Sequence, residues 1–450
     1  MDTDKSCSGM IQVGAASKII NNALGTYIQG ATVNRRAKSI RDDLEANALF
    51  LSNHSESVLL ISCDLAGLLP EFVATAREAI GKAAGLTSRN IIIACTHTHS
   101  GPSLLPTSYL KDLDHEYMAQ LREWLVELAR EVVEAARPAR VGSGVGRAQI
   151  GYNRRCCWAD GTHTMHGDTK RIDFTGLEGP DDPQHLVLFA EDMDGKLIGV
   201  AHNNASHPAC FYGRDFYSAD FPGAARKYLR AALGQIPVLF FNGAFGDINI
   251  ENMLSPRPRR ETGEQKVARA GYLMAGETLR LLHENEPCDN LILGHAYEDL
   301  NIPVRLPGAE KINWAQEILA RVDSGKTVDA WDMLLAHGTV LLQKEFGGNP
   351  LDTVPVHVVR IGDVMLVTQP CELYCQFGID IKRRSATRYT AICSIADGYG
   401  GYCPTMSGVL GGGYSGEPIW WARLSPEGGY QIVDSAAKLM NQVMRQGESK

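Results

Sequence analysis

Two stretches, Val58-Leu-Leu-Ile-Ser-Cys63 and Asn90-Ile-Ile-Ile-Ala-Cys95, decide the fold class. Each is a short apolar run of strand length with little polar alternation, as expected of a strand covered on both faces. Between them, residues 70–85 open on Pro70, carry apolar residues at helical spacing and end on Gly85. Residues 115–137 repeat the helical spacing and stop before Pro138. Strand, helix, strand, helix predicts an α/β fold: a mixed β-sheet core with flanking helices.

Working outward, residues 151–182 read as a loop-rich stretch, followed by strands over 186–191 and 197–202. Helices are expected over 224–233, 265–283, 372–384 and 433–445, with strands over 238–241 and 390–395. Residues 354–368 read as a hairpin turning on Gly362-Asp363. The polar helical section 311–344 reads as a solvated face or an oligomer contact, so a homo-oligomer stays among the expectations. No repeat, low-complexity tract or long linker divides the chain, and residues 1–450 are expected to form one catalytic unit.

The composition is that of an ordinary globular protein: 44% hydrophobic, 21% charged, formal net charge −8 over 450 residues. No dense basic stretch suggests a nucleic-acid partner. No apolar run approaches the ~18 residues of a spanning helix, so no stable membrane insertion is expected. The first residues, Met1-Asp2-Thr3-Asp4-Lys5-Ser6-Cys7, do not read as a secretory signal. The 11 cysteines include no C-x-x-C, which points to reduced thiols, mostly buried, and to a cytoplasmic location.

Five constellations could carry chemistry. Thr96-His97-Thr98-His99-Ser100-Gly101-Pro102 follows a strand, and alternate residues of an extended segment face one side. His97 and His99 can therefore enter one pocket at a strand's carboxyl end, one binding metal while the other handles protons. His207, in Asn203-Asn-Ala-Ser-His-Pro208, also lies just beyond an apolar run. Downstream, Asp220 could cap a helix or orient an imidazole. Phe241-Asn-Gly-Ala-Phe-Gly-Asp-Ile-Asn249 and Gln369-Pro-Cys-Glu372 place carboxylates after strands, Glu372 near a helix N-terminus that favours its ionised form. The fifth is Asp397-Gly-Tyr-Gly-Gly-Tyr402, with Tyr414 beyond it. The roles of Asp220, Asp247 and Asn249 stay open. His163-Thr-Met-His166 reads as surface, Trp420-Trp421 as pocket lining or core, and no G-x-S-x-G elbow occurs.

In this order, His-Thr-His-Ser-Gly-Pro, His207, Asn242-x-x-x-Gly246-Asp247, Pro370-x-Glu372 and Tyr399-x-x-Tyr402 resemble the neutral ceramidases. Gly151-Tyr-Asn-Arg154 and Ser218-Ala-Asp-Phe-Pro-Gly223 resemble their wider bacterial branch. The likeness runs from about Val13 to about Tyr414. It implies a ceramidase-like catalytic domain binding zinc through His97, His207, Glu372 and Tyr402, although Cys371 replaces the family's glycine. It further implies that His99 is the acid/base, and that Arg154 and Tyr414 contact the scissile amide.

The departures concern substrate. The chain is expected to lack the signal sequence and C-terminal β-sandwich domain of the secreted ceramidases. Residues 406–413, Met-Ser-Gly-Val-Leu-Gly-Gly-Gly, replace a Glu-Glu-Tyr-rich stretch, and such a glycine run frees backbone to move or to approach a ligand. The reading is a zinc-dependent amide hydrolase acting on a small soluble N-acyl compound. The alternatives are a lactone or lactam hydrolase or amide-forming enzyme using the same site, a ceramidase, and a non-catalytic metal-binding scaffold.

Overall fold

The computed structural model describes residues 10–109, 113–256, 261–289 and 291–448. The N-terminal stretch and Cys7 lie outside them. An eight-stranded sheet runs in the order Val238–Asn242, Leu197–Asn204, Gln184–Asp192, Arg137–Arg147, Gln12–Ile19, Glu45–Ser52, Ser57–Cys63, Ile91–Cys95. The outermost pair at each end is parallel and the inner pairs are antiparallel, so the sheet is mixed as expected. A second sheet orders Leu293–Pro303, Leu351–Ile361, Val364–Thr368 and Tyr389–Cys393. The hairpin turn falls at Gly362-Asp363, with Ile361 opposite Val364.

The large sheet is joined across its middle only at Gln12–Pro138 and Val13–Arg137. Its halves turn there, and Val238–Asn242 comes back against Glu45–Ser52, Ser57–Cys63 and Ile91–Cys95. The carboxyl ends of Ile91–Cys95, Leu197–Asn204 and Val238–Asn242 thereby meet, and the site is built on them.

Period-two alternation explains the layering. Leu59, Ile61, Ile91 and Ile93 face a cluster shared with the helices α1 (Pro70–Ala84) and α2 (His115–Glu134). Val58, Leu60 and Ile92 face inward and meet Val364, Leu366 and Ala391 of the second sheet. The helices α3 (Asp220–Leu233) and α4 (Gly263–Glu284) cover the other half of the large sheet through Leu229 and Leu281. After them come α5 (Ala309–Asp323), α6 (Ala330–Phe346), α7 (Cys375–Arg383), α8 (Met406–Gly411) and α9 (Pro426–Glu448). Ile432, Val433 and Ala436 of α9 pack on Val354, Val356 and Val358.

Three expectations need correction. The strand Arg137–Arg147 starts on the last residue of the expected helix and runs on through residues to which no element was assigned, because Pro138 and the alternating Gly142, Gly144 and Gly146 hide its strand character. The helix expected over 372–384 begins at Cys375, because Cys371–Leu373 first pairs in parallel with Gly401–Cys403. Asp220 orients no imidazole. Its carboxylate accepts from the Phe221 and Cys210 N–H groups at 2.7 and 2.9 Å, and Ala219 holds the cap position. Among the described residues, no helix is long and apolar enough to cross a membrane.

Away from the site, buried His185 and His202 both meet the Thr278 hydroxyl, at 2.8 and 3.3 Å. Burial lowers the His185 pKa to about 4 and that of His202 well below the ordinary value. Above the unfolded pKa of about 6.5 both states are neutral and nothing is lost. As pH falls from there toward about 4, the unfolded chain takes protons that the folded one refuses, so stability drops, by roughly 2 kcal/mol at pH 5 for His185. The urea midpoint is expected to fall between pH 7 and pH 5, and less so in His185→Asn. Equal pH slopes for the two proteins would remove His185 as a cause.

Candidate metal centre and active site

Five chain segments bring the site together, each leaving the end of a strand. His97 follows Ile91–Cys95 with a left-handed φ of 71°, held by its N–H to the Leu65 carbonyl. Such φ values are rare outside glycine and concentrate at functional sites. Among the described residues they recur at His166, Asp220, Ile395 and Asp397. Ile395 and Asp397 lead into the segment that carries Tyr399 and Tyr402.

Asn242 fastens the two histidine segments together: its side-chain amide donates to the carbonyls of Thr96 at 3.2 Å and Ser206 at 2.9 Å. Glu372 and Tyr402 are direct partners in their short parallel ladder. Asp247 is a framework residue. Its carboxylate accepts from Asn153 Nδ2 and the Cys375 N–H, both at 2.7 Å, and its carbonyl accepts from the Arg154 N–H. Burial raises the Asp247 pKa to about 7.

The imidazoles are oriented from behind. Nδ1 of His97 points at the Ala66 carbonyl at 2.6 Å, and that of His99 at the Gly30 carbonyl at 3.0 Å. Nδ1 of His207 lies 3.1 and 3.2 Å from the carbonyls of Phe245 and Ile248. A carbonyl only accepts, so each neutral ring carries its proton on Nδ1 and a lone pair on Nε2. Burial keeps all three rings neutral: it lowers the pKa of His97, brings that of His99 to about 3 and drives that of His207 well down. Gly30 has a φ of 85°, and a Cβ there would sit 2.6 Å from His99 Nδ1, so this backing needs a glycine.

The three lone pairs converge. His97 Nε2 and His99 Nε2 are 3.3 Å apart with no proton to share. Glu372 Oε2 lies 3.1 Å from His207 Nε2 and 3.6 Å from His97 Nε2, while its Oε1 accepts from the Tyr399 hydroxyl at 2.7 Å. Tyr402 Oη is 3.4 Å from His207 Nε2, and burial holds its phenol well above its ordinary pKa. Arg154 Nη2 reaches His207 Nε2, the Gly246 carbonyl and Tyr402 Oη at 3.1, 3.0 and 3.2 Å. One guanidinium nitrogen cannot serve all these acceptors, and the donor set fits a divalent cation. The ligand atoms of His97, His99 and His207 lie within 4.8 Å of one another and could hold a metal ion.

The convergence point opens into a cavity of about 560 Å³. All seven residues singled out from the sequence line it: His97, His99, Arg154, His207, Glu372, Tyr402 and Tyr414. The neutral ceramidase from Pseudomonas aeruginosa superposes with a TM-score of 0.73, covering 97% of this chain and 75% of that one at 16% identity. A ceramidase complexed with C2 gives a TM-score of 0.73, 97% and 76% coverage, and 15% identity. This chain has a ceramidase-like fold. No protein-family model matches it, and no curated protein matches it by sequence.

Within this ceramidase-like fold the structure adds residues that sequence reasoning missed. Tyr399, the first member of Tyr-x-x-Tyr, holds Glu372 by donating from its hydroxyl to Oε1. Tyr212 and Trp331 line the cavity without any local motif to announce them. His163-Thr-Met-His166 is not a plain surface segment: His163 Nδ1 meets buried Glu178 at 2.7 Å, and Thr164, Met165 and His166 all line the cavity. Of the tryptophan pair, Trp421 lines the cavity, while buried Trp420 donates to Glu345 at 2.6 Å.

The glycine run 411–413 is pinned rather than free. Fully buried Arg155 donates to the Gly412 carbonyl at 2.7 Å, to the Gly408 carbonyl at 3.3 Å and to Ser415 Oγ at 3.1 Å, and pairs with Glu178. A Cβ on Gly411 would lie 2.1 Å from the His163 ring, so that glycine serves close packing. This clamp fixes the segment that delivers Tyr414.

Proposed function

We propose that the chain, acting as one catalytic unit, is a zinc-dependent hydrolase that cleaves the amide bond of a small, soluble N-acyl compound. The observation that carries the reading is the convergence of three imidazole lone pairs and the Glu372 carboxylate on one point beneath a cavity. His97, His207, Glu372 and Tyr402 hold the metal. Zinc there would supply a Lewis acid and a water acidified to a pKa of about 7.

His99, with Nε2 turned toward the same point, takes the proton of the attacking water and delivers it to the leaving nitrogen. Arg154 and Tyr414 donate to the carbonyl oxygen as it gains charge. All hydrogen bonds recorded for the Arg154 side chain leave from Nη2, and its buried Nε has no partner, so the guanidinium retains donors for a substrate. A cavity of about 560 Å³ is the size of a small-molecule site.

The test is metal analysis with a substrate panel of soluble N-acyl amino acids and amines, lactams and lactones, and long-chain ceramide in vesicles. About one zinc per chain and metal-dependent cleavage of soluble N-acyl compounds are expected. Cleavage of ceramide alone would move the assignment to a lipid amidase. Cleavage only of cyclic compounds would favour ring opening, and full zinc with no turnover would leave a scaffold.

A further inference from the structure

Beside the metal cavity lies a second chamber of about 190 Å³. Trp331, Tyr414 and Gly413 line both spaces. Helical spacing explains the sharing. Trp331, Leu335 and Thr339 follow one another at intervals of four along α6 and line the second chamber, whereas Leu334 turns to the first. Pro418 and Ile419 complete the second chamber's apolar wall, and Lys311 and Glu417 face each other at 3.7 Å on its exposed side. Trp331 stands at the N-terminus of α6, where Asp329 accepts from its backbone N–H at 2.8 Å. Its side chain packs on Tyr414 with ring centres 5.2 Å apart, yet the residue is 41% exposed, with open space on both sides.

Ring contacts place this partition relative to the chemistry. On one flank His99, its ring centre also 5.7 Å from that of His207, has its ring centre 6.2 Å from that of Tyr212. On the other, His207 touches Tyr402, Tyr402 touches Tyr414, and Tyr414 touches Trp331. The leaving nitrogen must lie on the flank of the residue that protonates it, which is His99. The acyl group then extends toward Tyr414 and ends against Trp331. We propose that Trp331 sets the acyl length this protein accepts, and that the chamber behind it is a latent subsite for longer apolar acyl chains. This rests on the amidase reading for its orientation, but the partition itself can be read by binding alone.

The experiment compares zinc-loaded wild type, Trp331→Ala and Trp331→Phe with two probe series. One is a set of N-acyl-p-nitroanilides with straight acyl chains of increasing length, read as kcat/KM. The other is the matching straight-chain alkanoates, read by calorimetry with no turnover required. Wild type is expected to favour short chains in both series. Trp331→Ala should move the optimum to longer chains by several methylenes, each newly buried one adding about fourfold in affinity. Trp331→Phe, which keeps a ring in the partition, should retain the short-chain preference. A length profile unchanged in Trp331→Ala, in either series, overturns the inference. If alkanoate binding shifts as stated while no anilide is cleaved by any of the three proteins, the gate stands and the amidase reading fails.

Discussion

His207→Ala is expected to lose bound metal and turnover together, the turnover by on the order of 10⁴-fold or more, since it removes the electrophile itself. His207 is buried, its Nδ1 is fixed by two carbonyls, and its Nε2 lies within 3.4 Å of Glu372 Oε2, Arg154 Nη2 and Tyr402 Oη. The Asn242 amide fixes the backbone that carries His207 by donating to the Ser206 carbonyl. Metal content by elemental analysis, with circular dichroism to confirm folding, gives the readout. His97→Ala provides a second case with the same expectation. A folded His207→Ala protein that keeps full zinc occupancy would remove His207 from the ligand set.

His99→Ala should behave differently: the metal stays, and turnover falls by roughly 10²–10⁴-fold, the usual contribution of a positioned acid-base group. The distinction is a demanding one, because His99 Nε2 sits 3.3 Å from His97 Nε2 and belongs to the same three-histidine group. Two assignments share this geometry. In one, His97, His207, Glu372 and Tyr402 bind and His99 moves protons. In the other, the three histidines bind and Tyr402 faces substrate. Zinc retained in His99→Ala and lost in Tyr402→Phe selects the first, and the reverse selects the second.

Part of this centre could be read from the chain because both histidine segments directly follow an apolar strand, where a polar residue has no reason to be unless the sheet ends there. His97 after Ile91–Cys95 and His207 after Leu197–Asn204 are such cases. What could not be read depends on contacts distant in sequence. The turn between the halves of the large sheet rests on two residue pairs more than 120 positions apart, and no local pattern encodes it. Trp331 reads as one more apolar residue of a helix until the second chamber is seen behind it. The glycines at 411–413 imply freedom on their own and constraint once the His163 ring and the Arg155 guanidinium are set against them.

Adjacent Arg154 and Arg155 point to opposite sides of one extended segment, the first into the chemistry and the second into the clamp on the Tyr414 segment. Because side chains alternate along such a backbone, their assignments depend on parity, not on identity. Losing Asn153, or gaining one residue beside it, would keep both arginines, yet would aim the clamp at the cavity and the donor at the glycines. The segment can therefore absorb substitutions more readily than a change of length. An effort to graft this site onto another scaffold must carry over its counting as well as its composition.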